Sequence, residues 1–159
     1  MSNAHAMTIP FTMKCHIPIK ALLRMSNIDR FNDCTARLFA MLYQEFPFKV
    51  NLNYAQWLGD EHGGEITMDD LEFCKATVHW LQEAGYITTG QQSRYLITGV
   101  GLTAKGLEVL KAVPESVDAK QSIGESLIEY GKGESVRTAT SLISTALTEG
   151  FKIMVRLHG

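Results

Sequence analysis

The 159-residue sequence predicts a mainly α fold with a small β-hairpin (α+β), followed by a helical tail. Three observations lead there. Apolar residues recur at three- and four-residue steps in several separate segments. Two short extended segments flank the polar, turn-forming run Gly90-Gln91-Gln92-Ser93. The composition, 45% apolar and 20% charged, is that of a globular chain able to bury a core, and the length suits one domain of ~100–150 residues plus an appendage.

Residues 1–30 read as an N-terminal arm. Ser2-Asn3-Ala4 has the look of a scar left by a cleaved affinity tag, so residues 1–6 are set aside. Pro10 and Pro18 break any continuous helix across the arm, while Ile19 to Met25 could form a short one. The domain proper is expected over residues 31–113. Its first helix is capped by Asn32 or Asp33, carries Cys34, Leu38, Met41 or Leu42, and Phe46 inward, and stops at Pro47. The alternation in Phe48-Lys49-Val50-Asn51-Leu52 suits a short strand. Asn53 caps a brief helix with Tyr54, Trp57 and Leu58, and Gly59 to Glu65 read as a loop.

Thr67 opens the clearest element. Its hydroxyl can cap the helix start, and Asp69, Asp70 and Glu72 sit where the helix dipole favours negative charge. Leu71, Cys74, Val78 and Leu81 form its apolar stripe, Phe73 and Trp80 flank that stripe and either complete the core or form an exposed aromatic anchor for a partner or second subunit, and Gly85 ends it. Tyr86-Ile87-Thr88 and Tyr95-Leu96-Ile97 pair as a hairpin. Gly99-Val100-Gly101 lets the second strand turn into a last helix capped by Thr103, with Leu107, Leu110 and Val113 inward and Pro114 closing it. Residues 114–159 make the tail. A polar linker, Ser116 to Ser122, leads to one amphipathic helix marked by Ile123, Leu127 and Ile128. After Gly131-Lys132-Gly133 comes a second, marked by Val136, Ala139, Ile143, Ala146 and Leu147.

Two stretches, A-T-V-H-W-L-Q-E-A-G-Y-I from Ala76 to Ile87 and the tyrosine strand running into L-T-A-K-G-L-E-V-L from Tyr95 to Leu110, together with the element order, resemble the winged-helix family. This is the helix-turn-helix variant with a β-hairpin wing found in many small bacterial regulators, and the likeness covers about half of the chain. It implies a dimeric, cytoplasmic DNA-binding protein or transcription regulator that needs no cofactor. The DNA-contact candidates are Gln91, Gln92 and Arg94 on the wing and Lys49 and Lys105 on a basic rim.

The charge pattern departs from that family. Between Gly59 and Gly85 seven acidic residues (Asp60, Glu61, Glu65, Asp69, Asp70, Glu72, Glu83) face Lys75 alone, a local charge of −6 in a chain of net −2. A phosphate backbone repels such a helix face instead of releasing counterions to it. The alternative reading is therefore a protein-interaction module, with Asp69, Glu72, His79 and Glu83 docking a basic partner. No P-loop, nucleophile elbow, zinc-helix motif or dinucleotide glycine fingerprint is present, so nothing points to an enzyme. Cys15, Cys34 and Cys74 form no CxxC pair and read as reduced thiols, the last two in the core, with no metal site. No apolar run reaches the ~18 residues of a membrane helix. The two tail helices cannot hide their apolar faces alone and pack either on their own domain or on a second copy; self-association as a homodimer is expected.

Overall fold

The computed structural model describes residues 25–62, 66–114, 121–130 and 136–159. Most of the predicted arm, with Cys15, Pro18 and the expected short helix to Met25, lies outside the described residues. So do most of the linker and the Gly131-Lys132-Gly133 break. Among the described residues there are six helices and one three-stranded antiparallel sheet, a mainly helical α+β fold.

Helix α1 (Asn27–Glu45) starts earlier than the sequence suggests. Its cap is Ser26, whose Oγ accepts from the Asp29 N–H at 3.2 Å while the Asp29 carboxylate accepts from the Ser26 hydroxyl at 2.7 Å. This reciprocal box satisfies the first free N–H groups of the helix. Asn32 and Asp33, the expected caps, are instead buried inside it, as are Thr35 and Arg37. Phe46 is no core residue either: it lies just past the helix end and is exposed. The helix stops ahead of Pro47 as expected.

Strand β1 (Val50–Asn53) leads into helix α2 (Tyr54–His62), capped by the Asn53 carboxamide oxygen, which accepts from the Ala55 and Gln56 N–H groups at 3.0 and 3.2 Å. The helix runs through positions expected to be loop; residues 63–65 of that loop lie outside the described residues. Helix α3 (Met68–Glu83) begins at Thr67 as predicted, with Thr67 Oγ1 accepting from the Asp70 N–H at 3.2 Å. Leu71, Cys74, Val78 and Leu81 are all buried, and Gly85 ends the helix region at φ 78°. Burying each large apolar side chain contributes ~1.5–3 kcal/mol, which holds this helix to the core.

Strands β2 (Ile87–Thr88) and β3 (Leu96–Leu102) follow, and the sheet order is β1-β3-β2. The β2 pairing lies farther along β3 than expected, at Ile87↔Leu102 and Thr88↔Gly101. Towards the tip the two arms stay joined by Gly90 N–H to Thr98 O at 2.7 Å and Ser93 N–H to Leu96 O at 2.7 Å. Gly99-Val100-Gly101 is not a turn but part of β3. The register against β1 shifts between Val50 and Leu52, and Gly99 takes φ 62° at that bulge, its N–H donating to Asn51 Oδ1 at 3.1 Å.

Helix α4 (Ala104–Lys111) is capped by Thr103 as read from the sequence. Its buried positions are Gly106, Val109 and Leu110, whereas Val113 lies beyond the helix end and is exposed. The tail forms helix α5 (Ile123–Tyr130) and helix α6 (Val136–His158). Both pack against α1, and α6 also packs against α4. Of the two placements left open for the tail, the chain takes the one on its own domain. Ile123, Leu127, Ala139, Ile143 and Ala146 are fully buried within one chain. The central helix is α1, walled by the tail on one side and by α3, α4 and the sheet on others.

Candidate functional site

The most exposed polar part of the fold is the tip of the β2–β3 hairpin, beside the start of α3. Gln91, Gln92, Ser93, Arg94 and Tyr95 are all exposed there. The tip is held from below: Thr98 N–H donates to Gln91 O at 2.9 Å, and Gln92 pairs with Ile97 in an isolated bridge. Ser93 Oγ accepts from the Leu96 N–H at 3.2 Å. Arg94 stays near the helix start, its guanidinium 4.0 Å from Met68 Sδ and 5.3 Å from the Tyr95 ring centre.

The other two basic candidates do not join this group. Lys49 is exposed, but its stem lies over Gly101 at the far end of β3. Seven strand residues at ~3.3 Å each put it roughly 20 Å from Arg94. Lys105 turns inward. Its Nζ donates to Ala84 O at 2.8 Å, closing the C-terminus of α3, and sits 4.2 Å from the Tyr86 ring centre. Partial burial lowers its pKa below the usual lysine value. It secures α3 and leaves no free rim charge.

On α3, Asp69, Glu72, His79 and Glu83 form one exposed face. The face is less negative than the linear count implies, because Arg30 of α1 folds onto it. Arg30 Nη2 lies 2.9 Å from Asp69 Oδ2 and 3.2 Å from Asp70 Oδ1, with its guanidinium 4.2 Å from the Phe73 ring centre. Lys75 pairs with Glu72 at 3.3 Å, and His79 Nδ1 lies 3.3 Å from Glu83 Oε2. Sequence counting placed Arg30 in a different, basic segment and could not see that it lands here. Trp80, open in the sequence between core and exposed anchor, is 45% exposed and meets Phe31 edge-on at 5.1 Å. Phe73 is only half-buried, under Arg30.

Behind this face a small cleft of about 40 Å³ between α1, α2 and α3 opens to solvent. Arg30, Arg37, Trp57, Phe73, Cys34 and Cys74 are among the residues lining it. The Cys34 and Cys74 thiols touch there, Sγ to Sγ at 3.5 Å. The sequence marked each as an inward thiol on its own helix but carried no signal that they meet. Among the described residues no three His, Cys, Asp or Glu side chains converge as a metal site, and no helix is long and apolar enough to cross a membrane. No family model, curated protein or solved structure matches this chain.

Proposed function

We propose that the chain is a winged-helix DNA-binding regulator that meets DNA with its wing tip and works as a dimer. The observation that carries this reading is the sheet order β1-β3-β2 threaded by helix, strand, helix, helix, strand, strand, with an exposed polar tip beside the start of α3. A helix-turn-helix with a hairpin wing has the same order of elements, which supports this reading, and α3 is then the helix presented to the groove. The Arg30 contacts support it further, since they offset the two carboxylates nearest the wing. Gln91, Gln92 and Arg94 are the contact residues in this reading. Lys49 lies too far along the sheet to share their phosphates, and Lys105 is committed to α3.

The test is a titration with random-sequence duplex DNA at several salt concentrations. Wild type binds at low salt and weakens as salt rises. Arg94→Ala weakens binding uniformly across sequences and lowers the slope of log affinity against log salt by about 1, the signature of one lost phosphate contact. Absence of binding at low salt overturns the reading.

One observation favours a second reading, a protein-interaction module: the exposed Trp80 indole on the same helix as the exposed Asp69, Glu72 and Glu83, an aromatic anchor beside acidic residues. Its partner is a basic protein surface. Asp69→Lys with Glu72→Lys separates the two readings, because it strengthens DNA binding under the first and abolishes partner binding under the second.

A further inference from the structure

The Cys34 and Cys74 side chains come from helices α1 and α3, are 40 residues apart in sequence, and meet in the interior at 3.5 Å between sulfurs. Both are almost buried, yet both line the cleft that opens to solvent between α1, α2 and α3. A disulfide bond needs its sulfurs at ~2.05 Å, so small side-chain rotations shared between the two residues close the gap. We propose that Cys34 and Cys74 form an oxidisable dithiol site whose substrate is a small hydroperoxide entering through the cleft, and whose product is a disulfide stapling α3 to α1. This goes beyond the DNA-binding reading and does not depend on it.

The Cys34 and Cys74 sulfurs lie against each other at 3.5 Å, and the first attack falls to Cys74 in this proposal. The neighbouring Cys74 thiol, and then burial, push the Cys34 thiol pKa well above its ordinary value, so Cys34 stays protonated until it is called on. In the first step the Cys74 sulfur attacks the terminal peroxide oxygen. The O–O bond breaks, the leaving alkoxide or hydroxide takes up the thiol proton as alcohol or water, and Cys74 becomes a sulfenic acid. In the second, the Cys34 sulfur attacks the Cys74 sulfur. The S–O bond breaks, water leaves with the Cys34 proton, and the disulfide forms. Two thiols have lost two electrons and the peroxide has gained them. Buried thiols in apolar surroundings are inert; this pair differs because it lines a cleft that opens to solvent and also holds the ion-paired side chains of Arg30, Asp70, Arg37 and Asp33.

The experiment uses the full chain in a Cys15→Ser background, so that only this pair remains. It is treated with hydrogen peroxide under native conditions, then blocked with iodoacetamide, digested and mapped. The expected result is a peptide linking Cys34 to Cys74, a monomeric band on a non-reducing gel, and recovery of both thiols with dithiothreitol. Cys34→Ser is expected to leave Cys74 as a sulfenic acid that dimedone traps. Cys74→Ser is expected to leave Cys34 largely unreacted. Two alkylated thiols after prolonged treatment, oxidation beyond the sulfenic stage without a linked peptide, or a cross-link between chains would each overturn the proposal. The wild-type peptide map decides the matter even if a serine variant fails to fold.

Discussion

Asp33 shows how a single residue changes meaning between sequence and structure. A short polar side chain near the start of an apolar periodicity reads as a helix cap. In the fold its carboxylate is buried, 2.6 Å from Arg37 Nη2 one turn along α1, and it accepts from the Tyr130 hydroxyl at 2.6 Å. A buried carboxylate requires such partners, because desolvation is otherwise prohibitive. Tyr130→Phe removes one of them and leaves an acceptor facing an apolar ring, so it is expected to cost about 1–3 kcal/mol. In a chain of this size that lowers the thermal midpoint by about 2–4 °C per kcal/mol, and a melting curve followed by circular dichroism checks it. An unchanged midpoint would mean that water or another donor replaces the phenol. Nothing local in the sequence announces this pair, since Asp33 and Tyr130 are 97 residues apart.

At the scale of elements, what was legible followed local chemistry. Asn53, Thr67, Thr103 and Gly85 marked their helix boundaries because capping and left-handed backbone are decided within a few residues. The stripe from Leu71 to Leu81 was legible because one helix face repeats every three to four positions. The start of α1 was missed because Ser26 lies ahead of the periodic run, behind Asn27 and Asp29 that continue the helix without apolar signal. The course of β3 was missed because glycines 99 and 101 resemble a turn when their bulge partner Asn51 is unseen. The candidate site divided the same way. The exposed hairpin tip was legible, the inward turn of Lys105 and the landing of Arg30 on Asp69 were not, for both are decided by packing between elements.

Helix α5 offers a pH test at this scale. Its cap, Ser122, donates its N–H and hydroxyl to Glu125 Oε2 at 2.8 and 2.9 Å, and Ser122 Oγ accepts from the Glu125 N–H at 3.2 Å. The Ser122 N–H, and then its hydroxyl, hold the Glu125 carboxyl below its ordinary value of 4.5. Because the folded value is the lower one, the stabilisation is complete well above pH 4.5 and is lost as pH falls through that folded value. Amide exchange across residues 123–130 is expected to accelerate on acidification in wild type, beyond the intrinsic change in exchange rate. Glu125→Gln removes that dependence, and equal profiles for the two proteins would refute it.

For the whole molecule, the decisive feature is that α1 is enclosed on several sides. Its apparent polar face, with Asn32, Asp33 and Arg37, is buried: the Tyr130 hydroxyl of α5 meets Asp33, and Arg37 lines the cleft shared with α2 and α3. The ground first given for dimerisation, an uncovered tail, therefore falls away, and a different one replaces it. Past Gly150, α6 exposes Phe151, Met154, Val155 and Leu157. A two-fold pairing of two such helix ends covers these side chains on both copies. Light scattering is expected to report a dimer, and Phe151→Glu with Val155→Glu a folded monomer. A monomeric wild type would remove the dimer from the proposal.

The enclosure of α1 also orders events during synthesis. When residue 114 has left the ribosome, the sheet and helices α1 to α4 have been made, yet α1 still shows water the surface that α5 and α6 later cover. A nascent chain at that stage carries exposed apolar surface and an Asp33 carboxylate without its Tyr130 partner, the kind of surface chaperones hold. The fold is thus complete only when the final helix arrives, and a message cut short yields a product for proteolysis.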